Sequence, residues 1–269
     1  HTRYSTTGAT TWENAQPMVR SIGEDTGVAL AHNGNLVNTT ALKRRAVQLG
    51  IMPENELAGC ASDTDVVASL LAHTAVNGGL EEAALHLLPK VEGAFCFVMC
   101  DTDTIYAARD PYGVRPLSLG RLDRGWVVAS ETCALDIVGA SYVRDIEPGE
   151  FVTINATGVH SRRFAEPRHA RCVFEHVYLA RPDSFLNGRS VNAARVEIGR
   201  SLAREHPCDG DLVIPVPESG TPAAVGYAQE SGIPFAQGLT KNSYVGRTFI
   251  QPSQTIRQLG IRLKLNPLR

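Results

Sequence analysis

The hydrophobic pattern of the 269-residue chain changes along its length, and this change constrains the fold more than any single motif does. Residues 36–88 place apolar side chains at helical spacing, whereas residues 94–129 carry short strand-like runs separated by turns. Beyond residue 190, candidate helices and strands alternate, which is typical of a parallel sheet covered by helices. The sequence therefore predicts two domains of different architecture, with a boundary near residue 160.

The same pattern predicts the individual elements of each domain. Helices are expected over residues 36–49, over 80–88, 191–205 and 221–230, and in a segment that opens at Ser62. An antiparallel meander is expected over residues 94–100, 104–108, 116–119 and 126–129, with a further strand over 150–154. Strands of the second domain are expected over residues 211–216 and 234–237. The charged, irregular residues 161–171 are interpreted as a linker.

The composition excludes several classes of function. Hydrophobic residues make up 43% and charged residues 20% of the sequence, which is ordinary for a globular protein. The formal net charge of −2 gives no electrostatic reason to expect binding to nucleic acid or to a membrane surface. We find no apolar run that could span a bilayer and no secretory signal. Six cysteines without a Cys-x-x-Cys pair indicate reduced thiols, so a cytoplasmic protein is expected.

The tripeptide His32-Asn33-Gly34 follows a short apolar strand that begins at Val28, and it has two interpretations. Asn-Gly is a strong turn former, so the tripeptide can be a tight turn that ends the strand. Alternatively, the Asn33 amide and the backbone N–H of Gly34 form an oxyanion hole. Two such donors stabilise a tetrahedral oxyanion, and the loss of one typically costs about 10²–10³ in rate.

Three other segments suggest chemistry beside a structural role. Ser62-Asp63-Thr64-Asp65 can cap a helix, or it can present the Asp63 carboxylate to a substrate ammonium group. Arg3, beside clustered hydroxyls, suits a substrate carboxylate, because a guanidinium offers a planar fork of donors. In residues 109–117, a turn explains Asp-Pro-x-Gly but not the two arginines that flank it. Together with the oxyanion hole, these groups supply what glutamine hydrolysis needs, except a nucleophile.

Five segments of the first domain resemble the glutaminase domain of the class II glutamine amidotransferases. They are His-Thr-Arg-Tyr-Ser-Thr-x-Gly from residue 1, Asn14-Ala15-Gln16-Pro17, His-Asn-Gly-Asn-Leu from residue 32, Ser-Asp-Thr-Asp from residue 62 and Arg-Asp-Pro-x-Gly-x-Arg-Pro-Leu from residue 109. These enzymes are N-terminal-nucleophile hydrolases, so the resemblance implies a four-layer α/β/β/α sandwich over residues 1–160.

The resemblance also implies roles for individual residues. Glutamine would be bound by Arg3, Thr6 and Asp63. Asn33 and Gly34 would form the oxyanion hole. The nucleophile would be the N-terminal cysteine of the mature chain, with its free α-amine as the base.

Three segments of residues 172–269 resemble the branch of this family that uses phosphoribosyl pyrophosphate (PRPP). They are Glu175-His-Val-Tyr-Leu-Ala-Arg-Pro-Asp-Ser184, Pro215-Val-Pro-Glu-Ser-Gly220 and Lys241-Asn-Ser-Tyr-Val-Gly-Arg-Thr-Phe-Ile250. The resemblance implies part of a type I phosphoribosyltransferase domain with a parallel α/β fold. The implied enzyme transfers glutamine-derived ammonia to PRPP, giving 5-phosphoribosylamine, glutamate and pyrophosphate in the first step of purine biosynthesis.

The second domain would also carry metal and lid residues. Ser219 would help to coordinate Mg²⁺ with the pyrophosphate, and Cys172 would ligate a 4Fe-4S cluster. Lys241, Tyr244 and Arg247 would belong to a loop that closes over PRPP. The structural alternatives are a strand-to-helix turn for residues 215–220, a buried thiol for Cys172 and a solvated loop for residues 241–250. The resemblance further implies a homo-oligomer with purine nucleotides as feedback inhibitors.

The sequence departs from this branch at three points. Ser243 stands where many relatives carry arginine, and neither the N-terminal cysteine nor the loop that cradles the 5-phosphate is found. We therefore expect an internal fragment, inactive by itself, with these parts before His1 and after Arg269. The alternatives are a different class II amidotransferase and a catalytically inactive chain that binds a nucleotide or a partner.

Overall fold

The computed structural model describes residues 12–24, 26–57, 61–245 and 253–268, and the chain divides into two compact units, His1–Cys172 and Val173–Arg269. The helices of unit 1 are α1 (Thr39–Gln48), α2 (Asp63–Ala75), α3 (Gly79–Leu87) and α4 (Thr132–Ile137). Its strands are β1 (Met18–Ile22), β2 (Thr26–Leu36), β3 (Gly93–Cys100), β4 (Ile105–Arg109), β5 (Ser118–Leu122), β6 (Gly125–Ala129), β7 (Ser141–Asp145), β8 (Glu150–Asn155) and β9 (Gly158–Arg163).

The larger sheet of unit 1 is antiparallel, with the strand order β1-β2-β3-β4-β8-β9. Its central strand β3 is an almost continuous apolar run, as expected for a strand that is covered on both faces. Because side chains alternate along a strand, Phe95, Phe97 and Met99 face one apolar core, whereas Cys96 and Val98 face a second core.

The smaller sheet has the order β6-β5-β7, so the four predicted meander strands do not form one sheet. β3 and β4 pair in the larger sheet, whereas β5 and β6 pair in the smaller one. The meander prediction is wrong because residues 110–117 carry the chain from one sheet to the other. Period and turn chemistry identify strands, but they do not reveal which sheet a strand joins.

The two sheets and the helices form four layers. On one face of the larger sheet, α2 packs against β1 and β2, and helices and sheet share one core. A second core, built by residues such as Val152, Leu117 and Leu119, lies between the two sheets. On the outer face of the smaller sheet, α4 packs against β6 and β7. The α/β/β/α order expected of this unit is confirmed.

The predicted linker needs one correction. Ser161, Arg162 and Arg163 belong to β9, which pairs with β8 along the edge of the larger sheet. The side chains of these three residues are exposed, because an edge strand can carry charge without interrupting its backbone pairing. Exposed charges on such a strand resemble a linker, so this part of the prediction is wrong.

Unit 2 contains α5 (Val191–Glu205), α6 (Thr221–Ser231), α7 (Gln254–Lys264) and the short strands β10 (Phe185–Leu186), β11 (Arg189–Ser190), β12 (Leu239–Lys241) and β13 (Leu265–Pro267). The pairs β10–β11 and β12–β13 are antiparallel. Helices α5 and α6 approach each other so closely that both contact positions need glycine. A Cβ at Gly199 would overlap the Ala223 carbonyl oxygen, and a Cβ at Gly226 would overlap the Val196 carbonyl oxygen. The two helices predicted for this region are confirmed.

The strands predicted over residues 211–216 and 234–237 are reduced to one parallel bridge, Val213 to Phe235. The parallel direction is as expected, but the described residues of this region do not extend the bridge into full strands. Within the described part of the chain, no helix is long and apolar enough to cross a membrane.

Candidate functional site

β2 runs straight through His32-Asn33-Gly34, so the prediction of a tight turn at this tripeptide is wrong. Asn33 lies opposite Cys96 and Gly34 opposite Phe95, because β3 supplies a long-range partner that overrides the local turn preference. A Cβ at Gly34 would overlap the Ala94 carbonyl oxygen. Glycine is therefore required here by close approach of the neighbouring backbone.

Asn33 faces the smaller sheet, and two residues beside that sheet hold its side chain. The Arg115 Nε donates to Asn33 Oδ1 at 3.3 Å, and Asn33 Nδ2 donates to the Ser130 hydroxyl at 3.2 Å. Arg115 precedes β5 and Ser130 follows β6. Sequence reasoning missed both partners, and the signal that pointed to one of them was an arginine that the turn did not explain.

His32 faces the opposite side, toward the helices, where its side chain is almost completely buried. Its backbone N–H donates to Gln16 Oε1 at 2.7 Å, and Gln16 Nε2 donates to the Thr64 hydroxyl at 2.9 Å. His32 Nδ1 lies 3.3 Å from the same hydroxyl. Gln16 thus joins β2 to the start of α2, which gives the Asn14-Ala15-Gln16-Pro17 segment a role in positioning the site.

Asp63 occupies the first turn of α2, whose N-terminus is capped by Ser62 accepting the Asp65 N–H at 3.2 Å. The Asp63 carboxylate accepts the Leu36 N–H at 3.2 Å and the Thr64 N–H at 2.8 Å, and His32 Nδ1 lies 3.6 Å away. Burial raises the pKa of Asp63, but the His32 ring and these two amides outweigh it and hold the pKa below its ordinary value. A carboxylate therefore stays ionised beside the strand that carries Asn33.

The loop between the two sheets is held by the buried side chains of Arg109 and Asp110. The Arg109 guanidinium donates to the carbonyls of Arg115, Ile146 and Gly113 at 2.8, 2.8 and 3.1 Å. Asp110 accepts the backbone N–H groups of Phe95, Tyr112 and Val114 at 3.2, 2.9 and 3.5 Å. Arg109 thus fixes the backbone of Arg115, while the side chain of Arg115 reaches Asn33.

Three of the predicted substrate residues, Arg3, Thr6 and Arg247, lie outside the described residues. In unit 2 the Lys241 ammonium lies 3.1 Å from the Glu218 carboxylate, which brings the Pro215–Gly220 turn to the start of the predicted lid loop. Ser219, in that turn, is exposed, and so is Tyr244 in the loop. The structure therefore places Ser219 and Lys241 in neighbouring segments.

The two metal ligands inferred from the resemblance, Cys172 and Ser219, do not belong to a cluster of metal-binding side chains among the described residues. Cys172 is half-buried and Ser219 is exposed. The described residues contain no group of three or more His, Cys, Asp or Glu side chains that could hold a metal ion. Among the described residues, Cys172 and Ser219 could therefore each supply only one ligand, and a 4Fe-4S cluster or a magnesium ion would need further ligands from elsewhere.

Residues 1–136 match the glutamine amidotransferase domain family. The amidophosphoribosyltransferase of Mycobacterium tuberculosis (strain ATCC 25618 / H37Rv) is 70% identical over 269 residues, which are 100% of this chain and 51% of that protein. The amidophosphoribosyltransferase of Bacillus subtilis (strain 168) is 43% identical over an alignment of 270 positions that covers 100% of this chain and 56% of that protein.

The structure is similar to that of glutamine phosphoribosylpyrophosphate (PRPP) amidotransferase from B. subtilis complexed with ADP and GMP. The TM-score is 0.87 at 43% sequence identity, and the match covers 100% of this chain and 57% of that one. A structure described as the allosteric regulatory enzyme of purine biosynthesis has a TM-score of 0.88 at the same identity and coverage. The chain spans about half the length of the curated relatives that it matches.

Proposed function

Because the chain belongs to the glutamine amidotransferase domain family, we propose that unit 1 binds glutamine and releases its amide nitrogen as ammonia. The observation that carries this proposal is the orientation of Asn33. Its Nδ2 group is held on the face of β2 that is turned toward the smaller sheet, one residue before the crowded Gly34. Pre-oriented donors of this kind stabilise an oxyanion without reorganisation during the reaction.

The proposed reaction begins when a nucleophile attacks the side-chain carbonyl carbon of glutamine. By family resemblance, the nucleophile is the N-terminal cysteine of the mature full-length gene product. The carbonyl oxygen becomes an oxyanion, which accepts hydrogen bonds from Asn33 Nδ2 and the Gly34 N–H. The α-amine takes the thiol proton as the cysteine attacks and returns it to the departing nitrogen, so the C–N bond breaks, ammonia leaves and a thioester remains. Water hydrolyses the thioester to glutamate.

Glutamine is proposed to be held by the two charged groups on its α-carbon. The ionised Asp63 carboxylate would accept the α-ammonium group, and a lowered pKa keeps this carboxylate charged at neutral pH. Arg3 would bind the α-carboxylate, with Thr6 beside it.

Unit 2 is proposed to supply the acceptor. Relatives that cover all of this chain are named amidophosphoribosyltransferase, so the full-length product would join ammonia to C1 of PRPP and displace pyrophosphate. Lys241, Tyr244 and Arg247 would contact PRPP from the lid loop. Cys172 and Ser219 would each supply one ligand, to a 4Fe-4S cluster and to Mg²⁺ respectively. The ion would neutralise part of the phosphate charge.

The same proposal extends to the assembly of the full-length product. We propose a cytoplasmic homo-oligomer that binds purine nucleotides. The nucleotide assignment is supported by a similar B. subtilis structure that is described as complexed with ADP and GMP.

The experiment compares two nitrogen sources in the full-length gene product. Phosphoribosylamine formation from PRPP is measured with glutamine and, separately, with ammonium chloride. Asn33→Ala should lower glutamine-dependent kcat about 10²–10³-fold and leave the ammonia-dependent rate within about twofold. Asn155→Ala, at the end of β8, is the matched control and should lower neither rate. Wild-type protein that makes no phosphoribosylamine from either source would contradict the proposal.

A further inference from the structure

Asn33, Arg115 and Ser130 meet at one end of the layer between the two sheets of unit 1. Asn33 projects from β2 on the same face as Ala31 and Ala29, opposite to the helix-facing Leu30 and His32. β5 and β6 pair with Ser118 opposite Ala129. The residues just before β5 and just after β6 therefore lie at the same end of the smaller sheet.

The chemistry of these three side chains determines which way the Asn33 amide points. Arginine has only donors, so the atom that faces Arg115 at 3.3 Å must be the Asn33 oxygen. The Asn33 NH₂ group then points toward Ser130, whose hydroxyl accepts one hydrogen at 3.2 Å. An amide NH₂ carries two hydrogens. The second hydrogen meets no acceptor among the described residues, and it is the one that would face an oxyanion.

The backbone of Arg115 is itself fixed by neighbouring side chains. Its carbonyl oxygen accepts the Arg109 Nε at 2.8 Å and lies 3.5 Å from the Cys96 thiol. Arg109 is buried and donates to two more carbonyls of the same region. A fixed backbone allows a long side chain to present its donor at a defined position, which is what a pre-oriented site needs.

We propose that Arg115 and Ser130 are positioning residues for the oxyanion hole, acting on glutamine through the orientation of the Asn33 amide. This inference rests on the glutaminase function proposed above. The smaller sheet thereby contributes to the reaction, because it brings the two residues together without either of them touching glutamine. Without Arg115 the Asn33 amide can rotate, and its oxygen would then repel the developing oxyanion.

The test measures glutamine hydrolysis by the full-length gene product with Arg115→Met and Ser130→Ala. Loss of orientation acts on the transition state, so kcat should fall about tenfold to hundredfold while the KM for glutamine stays within about threefold. Arg115→Lys retains a donor and should lose less activity than Arg115→Met. The control is Arg121→Met, which removes an arginine that lies over Trp126 in the same sheet and should leave kcat unchanged.

A double-mutant cycle separates positioning from a general structural effect. In an Asn33→Ala background, Arg115→Met should cost less than about a further twofold, because the group that it orients is already gone. If the fold-losses in kcat caused by Asn33→Ala and by Arg115→Met multiplied in the double variant, the inference would be overturned. A wild-type kcat in both Arg115→Met and Ser130→Ala would also overturn it. Ammonia-dependent synthesis, measured on every variant, shows that unit 2 is folded, and an unchanged KM for glutamine shows that unit 1 is. If the wild type hydrolysed no glutamine, the proposed function and this inference would both fall; if only the cycle failed, the function would stand.

Discussion

Asp63 combines a structural role with a proposed role in substrate binding. It ties the first turn of α2 to Leu36 at the end of β2. An ionised carboxylate has about four acceptor positions, and the Leu36 amide, the Thr64 amide and the Thr64 hydroxyl use three of them. His32 Nδ1 lies 3.6 Å from the same carboxylate, so the ammonium group of glutamine would approach Asp63 beside this ring.

Asp63→Asn should therefore weaken recognition of the substrate ammonium group. A charge-assisted hydrogen bond contributes about 1.5–3 kcal/mol, so kcat/KM for glutamine should fall roughly 10–150-fold in the full-length product. Glutaramic acid, which is glutamine without its α-amino group, should be hydrolysed by the variant and the wild type with similar kcat/KM. An equal loss on both substrates would show that Asp63 acts only on the fold. Asp103→Asn, in an exposed turn, is the matched control.

Single residues differ in how far the sequence could identify them. Asn33 was predicted as an oxyanion donor because its side-chain amide and the Gly34 N–H follow an apolar strand, with a tight turn as the alternative. Its partners were not predictable, because Arg115 and Ser130 lie 82 and 97 residues away along the chain. The contacts of a side chain with distant residues depend on sheet pairing, which a local pattern does not contain.

At the scale of elements, the same dipeptide has two outcomes in this chain. Asn187-Gly188 joins β10 to β11 as a two-residue hairpin loop, with φ values of 53° and 74°. These positive values are the ones that make Asn-Gly favourable in hairpins. Asn33-Gly34 instead continues β2, because β3 pairs with it along its whole second half. Turn chemistry therefore predicts a turn only where no long-range strand competes for the same backbone.

Helices and strands were predictable to different degrees for a related reason. The prediction for α5 matched its observed bounds, because helical hydrogen bonds are local and the apolar period is visible in sequence. Residues 211–216 and 234–237 gave only the bridge from Val213 to Phe235. A parallel strand depends on neighbours that are distant in sequence, so its extent cannot be read from its own residues.

Glu150 links elements of both sheets in unit 1. It lies at the start of β8 in the larger sheet, and Arg144 of β7 in the smaller sheet donates to both of its carboxylate oxygens at 2.7 and 2.8 Å. The Glu147 N–H donates at 2.6 Å, and the Ser161 hydroxyl of β9 also donates. Burial raises the pKa of Glu150, but Arg144, Ser161 and the Glu147 amide outweigh it and lower the pKa below 4.5.

Glu150→Gln should lower the free energy of unfolding by about 1–3 kcal/mol at pH 7, because a buried acceptor of charged hydrogen bonds is lost. The folded pKa of Glu150 lies below the unfolded value, so the contribution is complete above about pH 4.5. It disappears as the pH falls through the folded pKa. Urea denaturation at several pH values should therefore show a difference between wild type and variant that narrows in acid.

The matched control for this prediction is Glu82→Gln, which also removes a glutamate that pairs with an arginine, Arg162. That pair is exposed and screened by water, so its loss should change the free energy of unfolding much less than Glu150→Gln does. A difference for Glu150→Gln that stayed constant from pH 7 to pH 3 would show that charge on this side chain does not stabilise the fold.

At the scale of the whole molecule, the chain consists of two compact units of different architecture. The change of hydrophobic period indicated this division, since an antiparallel sandwich and an alternating α/β region differ in their local patterns. The pattern did not indicate that unit 1 has two sheets. That property depends on residues 110–117, which cross between the sheets and are held by the buried Arg109 and Asp110.

If unit 1 releases ammonia from glutamine and unit 2 binds PRPP, a variant in one unit should impair the reaction of that unit and spare the other reaction. Lys241 is 27% exposed and pairs with Glu218, which is 72% exposed, and water screening at the Glu218 carboxylate keeps the contribution of the pair to stability small. Lys241→Met in the full-length product should therefore leave thermal stability unchanged. If Lys241 instead binds PRPP phosphates, the variant should raise the KM for PRPP about tenfold or more with either nitrogen source.

Glutamine hydrolysis measured without PRPP should stay within about twofold in Lys241→Met, because the residues proposed for that step lie in unit 1. Asn33→Ala should show the reverse pattern, with the ammonia-dependent reaction retained. Lys90→Met, which removes an exposed lysine of unit 1, controls for loss of a positive charge and should leave both reactions unchanged. If Lys241→Met lowered hydrolysis as strongly as synthesis, the two reactions would not be separable by unit. The assignment of PRPP binding to Lys241 would then need revision, because a residue that only binds the acceptor cannot slow a reaction that proceeds without it.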